Sequence, residues 1–171
     1  MLISQFKQRL LSILLIIAIA IIWVLLAATP AIAQEGAVNY TYSEIREQDF
    51  SHKNLVGGVF AAADARGSNF EGSDVSNSIL TKGIFINTNL KDSNFTSSLM
   101  DRVSFENSDL TNAIFQDAVA TSTNFEGTRI TGADFSGAIL DRYQILQMCK
   151  RAAGTNPITG VDTRYSLGCR D

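Results

Sequence analysis

The chain has 171 residues, 46% of them apolar, with 14 Lys and Arg against 17 Asp and Glu. That length and a formal charge of −3 describe one weakly acidic domain without the basic footprint that holds phosphates, so sequence-independent nucleic-acid binding is not expected. One His and two Cys leave no ligand set for a catalytic zinc and no His-based triad, so neither an enzymatic role nor a cofactor or metal site is expected.

Residues 1–9 carry Lys7 and Arg9 and no acidic residue, and Leu10 to Leu26 is a 17-residue, predominantly apolar run. Ala31-Ile32-Ala33 then supplies a small-x-small end, which predicts a secretory signal over 1–33 cleaved before Gln34. The absence of an Arg-Arg pair favours the general export route, and no Cys follows the site to take a lipid anchor. An uncleaved anchor is the alternative, since the run approaches the ~20 residues that span a bilayer. Removal of 1–33 takes Lys7 and Arg9 with it and leaves 12 basic against 17 acidic residues, a net −5.

Residues 34–47 break the pattern that follows and are expected to form a first cap or a short extended lead. From Phe50 to Leu140 every fifth residue is apolar at all 19 positions, and all nine Phe after residue 33 fall in this register. Two positions earlier the residue is Gly, Ala, Ser or Thr in 16 of the 19 units, and one position earlier it is Asp or Asn in 10 of them.

A period of five matches neither helix nor ordinary strand. It is satisfied if each unit turns the chain by a quarter, so that four units make a square coil of 20 residues and coils stack at about the ~4.8 Å strand spacing. Large and small side chains then both point to a common axis, and the small one is required because so narrow an interior has no room for two large ones.

This repeat, a small residue, Asp or Asn, Leu or Phe, then two mostly polar residues, resembles the pentapeptide-repeat family. The resemblance implies an all-β solenoid, a right-handed quadrilateral β-helix, here of nearly five coils over 48–142. It imports no activity, because solenoids reserve their surfaces for unrelated tasks.

Residues 20 apart share a face. The core ladders expected from this register include Phe85, Phe105 and Phe125 on one face and Phe95, Phe115 and Phe135 on another. The outward column just before each core residue is mostly polar on three faces, but on the third it reads Val59, Ile79, Leu99, Val119, Ile139. An apolar outward ladder suggests a cover, and Lys82, Arg102 and Arg142 would give it a basic margin. The cover is the chain's own end segments, a second copy, or a partner protein or membrane surface.

After Leu140 the pattern changes, and Ile145, Cys149 and Ala152 fall at i, i+4 and i+7, with Lys150 and Arg151 behind them and Gly154 as a stop. That spacing predicts a helix of about three turns, followed by a turn-rich tail marked by Asn156-Pro157 and Thr159-Gly160. Cys149 and Cys169, the two cysteines of an exported chain, are expected to pair as a structural disulfide; a regulatory dithiol beside Lys150 and Arg151 is the alternative. The tail from Met148 to Pro157, with Thr159-Gly160 and Ser166-Leu167-Gly168-Cys169, is similar to those of pentapeptide-repeat proteins of the cyanobacterial and chloroplast thylakoid lumen. That resemblance implies a lumenal or periplasmic protein of a photosynthetic cell.

The expected function is therefore a non-enzymatic exported interaction or scaffold protein presenting a rigid face to a protein partner, such as a thylakoid membrane or lumen complex. The alternative is a redox-responsive regulator acting through Cys149 and Cys169. His52 is expected on the surface, and the Asp and Asn before the core positions are read as turn-satisfying residues at coil corners rather than metal or acid–base sites.

Overall fold

The structure is a computed structural model that describes Leu15, Ile17, Ala18, Ile19 and residues 37–170. Those first four positions are helical; the rest of the predicted signal, including its cleavage site, lies outside the described residues. No helix among the described residues is long and apolar enough to cross a membrane. Residues 1–36 and 37–171 form separate compact units, and the second carries the repeat.

Each five-residue unit repeats one backbone path. In most units the amide three residues after a core position donates to the core carbonyl, as Ala63 does to Phe60 at 3.0 Å and Ala113 to Leu110 at 3.1 Å; those of Gln48, Ser78 and Thr88 turn instead to a serine hydroxyl in the next coil. The residue two after each core position is left-handed in all twenty units from Tyr42 to Gly137, with φ between +54° and +72°. Six of these residues are Gly and six are Asn or Asp, the types that reach this region at least cost. The chain therefore turns a corner every fifth residue.

Successive coils pair in parallel, 20 residues apart. On the third face the ladder runs Asn39, Val59, Ile79, Leu99, Val119. It closes with strand β1 (Val119–Ala120) paired to strand β2 (Ile139–Leu140). The phenylalanines stack along the axis: Phe95 and Phe115 lie 5.1 Å apart and Phe115 and Phe135 5.0 Å apart, at 12° and 8° between planes. Phe85, Phe105 and Phe125 follow one another at 5.7 and 5.6 Å. Across the corners rings meet edge to face, as Phe125 and Phe135 do at 6.0 Å and 89°.

The small residue that follows the left-handed position is buried in most units, and where it is a buried Ser or Thr its hydroxyl is satisfied. Ser108 Oγ donates to the Phe85 carbonyl in the coil below at 2.5 Å and Ser98 Oγ to that of Val75 at 2.8 Å, while Ser93 Oγ donates to Leu90 within its own turn at 2.6 Å. Buried hydroxyls thus tie coil to coil without an unmet donor.

The solenoid begins earlier than the sequence reading placed it. Asn39 and Glu44 pair with Val59 and Asp64, Ile45 is buried, and the Tyr40 ring stacks over Phe60 at 5.4 Å. Residues from Val38 onward are thus coil rather than a cap or lead, because Tyr40 and Ile45 fill the same inward positions that Phe and Leu fill later.

At the other end the helix is shorter than expected. Helix α1 spans Arg142–Cys149 and Lys150 closes it, so Arg151 and Ala152 lie beyond it and Met148 is its buried residue. Tertiary contacts end it: Arg151 turns back to the last coil, and the Ala153 carbonyl accepts the Gly132 amide at 2.8 Å. A second helix, α2 (Thr163–Ser166), starts at Asp162, whose Oδ1 accepts from the Tyr165 amide at 3.1 Å. Cys149 and Cys169 are disulfide-bonded with Cα atoms 5.6 Å apart, fastening α1 to the segment after α2.

Candidate functional site

The surface of the column is set by the residue before each core position. Where it is Asp or Asn, its Oδ1 accepts the amide two residues on: Asn94 from Thr96 at 3.0 Å, Asp109 from Thr111 at 3.1 Å, Asp134 from Ser136 at 2.9 Å. The ten carboxylates and amides singled out in the sequence all make this bond, which explains their spacing without catalysis.

Asp64 carries more charge than a corner needs. Arg66 and Arg46 reach its carboxylate at 2.5 and 2.6 Å, and their hydrogen bonds hold it well below the usual carboxylate range. Asp109 is drawn in the same direction: burial opposes ionisation, but the Thr111 hydroxyl and amide, with Arg129 and Lys91 at 2.8 and 3.4 Å, outweigh it. The pairs made by Arg46, Lys91 and Arg129 tie neighbouring coils along polar faces, while Arg66 pairs with Asp64 within one coil.

The third face is different. Ile79 and Leu99 are each 41% exposed and Ile139 is 56% exposed, while Val59 and Val119 are half-buried. None of the five can cap its turn, and the amides of Ala61, Thr81, Asp101 and Thr121 find no acceptor among the described residues. An exposed apolar ladder is thus flanked by a row of outward N–H groups, one per coil. Of its expected basic margin, Lys82 is exposed, and Arg102 is paired to Asp101 at 2.7 Å. Arg142 belongs to α1 rather than to a coil.

The described C-terminal segment does not cover this ladder. The C-terminal segment covers the last coil instead, where Met148 and Leu167 are buried against the core. Gln144, Ala153 and Ser166 accept the amides of Phe125, Gly132 and Phe135 at 3.5, 2.8 and 3.0 Å. The Asn156 side chain donates to the carbonyls of Asn112 and Gly132 at 2.9 and 2.8 Å and accepts two amides in return. Nothing in residue type marked these contacts beforehand, since each joins the C-terminal segment to main-chain groups of a coil distant in sequence.

Beside the disulfide lies a groove of about 380 Å³ lined by Ile145, Leu146 and Leu167, with Arg142 and Arg170 at its edges. Both cysteines are partly exposed there. His52 is exposed on the first coil, and no cluster of His, Cys, Asp or Glu among the described residues could hold a metal ion.

A square column of 20-residue coils, closed inside by phenylalanine ladders and outside by corner Asp and Asn, defines a quadrilateral β-solenoid. The family model for pentapeptide repeats matches eight copies over residues 49–82, 59–96, 85–117 and 98–137, and the chain belongs to the pentapeptide-repeat family, with its right-handed β-helix. A crystal structure of a pentapeptide repeat protein from the Arabidopsis thaliana thylakoid lumen is 28% identical to it, covers 74% of this chain and 92% of its own, and superimposes with a TM-score of 0.62. A stretch of 34 residues is 62% identical to the chloroplastic thylakoid lumenal protein TL20.3 of Arabidopsis thaliana. That stretch is 20% of this chain and 12% of the relative's length.

Proposed function

We propose that this protein is a non-enzymatic interaction protein of the thylakoid lumen, exported by its N-terminal signal, and that its third face docks a protein partner. The lumenal location rests on the two Arabidopsis relatives and on the basic, apolar, Ala-x-Ala order of residues 1–33. The observation that carries the docking surface is the ladder of Ile79, Leu99 and Ile139, aligned by the coil register and left exposed. A stacked coil holds these side chains at fixed spacing, so little order has to be gained on binding.

The test is a photo-crosslinker at Leu99 in the native host, irradiated in intact membranes. A covalent adduct with another polypeptide supports the reading and identifies the partner. An adduct confined to this chain removes face three as a docking surface.

A second reading, a redox-responsive regulator, is favoured by the position of the disulfide. Cys149 and Cys169 hold the tail that closes the last coil and stand partly exposed at the groove of Ile145, Leu146 and Leu167. Labelling of both thiols after mild reductant under native conditions supports switching; a bond that resists reduction until the fold melts argues against it.

A further inference from the structure

The two ends of the solenoid are finished differently. In every inner coil, the residue before a core position directs both its N–H and its C=O at the coil beneath. Asp64 donates to the Ser43 carbonyl at 2.9 Å and its own carbonyl accepts from the Ile45 amide at 2.8 Å. Asn69 does the same with Gln48 and Phe50, and Asp74 with Lys53 and Leu55. In the first coil the equivalent residues are Asn39, Glu44, Asp49 and Asn54, one on each face, with no coil beneath them. Their amides meet no acceptor among the described residues, and of their carbonyls only that of Asp49 is met, by Lys53 Nζ at 2.7 Å.

The last coil has its tail; among the described residues the first coil, with Tyr40 over its core, presents a square of unpaired backbone. Such an edge is a template for pairing, and solenoids ordinarily cover it. If residues 1–33 are removed, as the signal reading holds, only Gln34, Glu35 and Gly36 precede the described coil. Three residues span at most ~11 Å and cannot cover a 20-residue coil.

We propose that a second copy of this chain covers it, two columns meeting first coil to first coil about a two-fold axis. The geometry is self-complementary. A residue that sends both its N–H and its C=O across the same edge has the form required for the hydrogen-bonded pairs of an antiparallel ladder, in which opposed residues exchange both bonds. A two-fold axis perpendicular to the column reverses the strand direction of the partner coil and sets each of these four residues against one of its own kind. The one competing group is the Lys53 ammonium, which has to leave the Asp49 carbonyl.

The inference rests on cleavage before Gln34, so the experiment begins with the intact mass of the exported protein and then measures its size by light scattering across a concentration series. A chain beginning at Gln34 is expected to reach twice its monomer mass. In that dimer the amides of Glu44, Asp49 and Asn54 should exchange with solvent about tenfold more slowly than in dilute protein. Glu44→Pro and Asn54→Pro each remove an interface amide that bonds nothing in its own chain; Asn54→Pro also gives up one exposed corner bond, to the Val56 amide, so both together should leave a monomer whose circular dichroism spectrum keeps the form of the parent's. A chain beginning at Gln34 that stays monomeric, with those amides unprotected at every concentration, overturns the proposal alone. A chain that keeps residues 1–33 overturns the cleavage reading and this inference with it. A dimer that survives both prolines, or that falls with Leu99→Glu instead, also overturns it by placing self-association elsewhere.

Discussion

The Arg151 guanidinium donates to the Phe125 carbonyl at 2.6 Å, across 26 residues of sequence. The same side chain reaches the Thr128 carbonyl at 3.0 Å and the Gln147 carbonyl at 3.1 Å, so one cation answers three backbone acceptors where the column stops. The last coil has no following coil to meet its outward groups, and a planar donor with five N–H groups suits that gap. Arg151→Lys, which keeps the charge and loses the fork, should therefore loosen the tail: hydrogen exchange should rise in residues 142–169 and stay unchanged around Phe95. Equal exchange in both regions would contradict the capping role.

Phe105 has no exposed surface and touches four rings, Phe85, Phe95, Phe115 and Phe125. Phe105→Ala should cost ~3–5 kcal/mol by large-to-small core precedent. Thermal unfolding measures it, and a melting midpoint equal to that of the parent would show that the ladder does not bear the load assigned here.

The exposed ladder behaves oppositely. Ile79→Asp together with Leu99→Asp should leave stability nearly unchanged, since surface substitutions away from structural features usually fall within about ±0.5 kcal/mol. Partner capture at Leu99 should be lost. Unfolding of the doubly charged variant would mean that face three is buried surface after all.

Asp64 gives the fold an acid signature. Its folded pKa is depressed by Arg66 and Arg46, so the stability it contributes is fully present above the unfolded carboxylate value of about 3.9. That contribution is lost as pH falls through the lower folded value. The gap in melting midpoint between the parent and Asp64→Asn should hold steady from neutral pH to about pH 5 and narrow below about pH 4. Both arginines are about half exposed, so the gap should also shrink in high salt. A gap that widens in acid would reverse the sign of the argument.

Asn156 is 1% exposed, and its amide nitrogen faces two carbonyls. Asn156→Asp turns a double donor into an acceptor against those same oxygens. It should cost more than Asn156→Ala, which strands the groups at about 1–3 kcal/mol each. Denaturant titration of the two variants orders them, and the reverse order would exclude the donor role.

The period of five determined the path of the chain from Phe50 to Leu140, because a quarter turn per unit is the arrangement that buries a large and a small residue in every unit on one axis. From it follow the stacked phenylalanines, the corner hydrogen bonds of Asp and Asn, and the ladder of Val59, Ile79, Leu99, Val119 and Ile139. The sequence carries a further signal of the same path: Gly, Asn or Asp at twelve of the twenty left-handed corners. Tyr40 and Ile45 were equally in register, hidden by a first coil with fewer of the repeat's marks.

What the tertiary structure alone decided lies at the ends. The stop of α1 at Cys149, the reach of Arg151 and the double donation of Asn156 answer backbone groups of coils that are distant in sequence. No local pattern encodes such contacts, because the acceptors are main-chain atoms that every residue possesses. Only the end of the stack determines which of them are left for a side chain to meet.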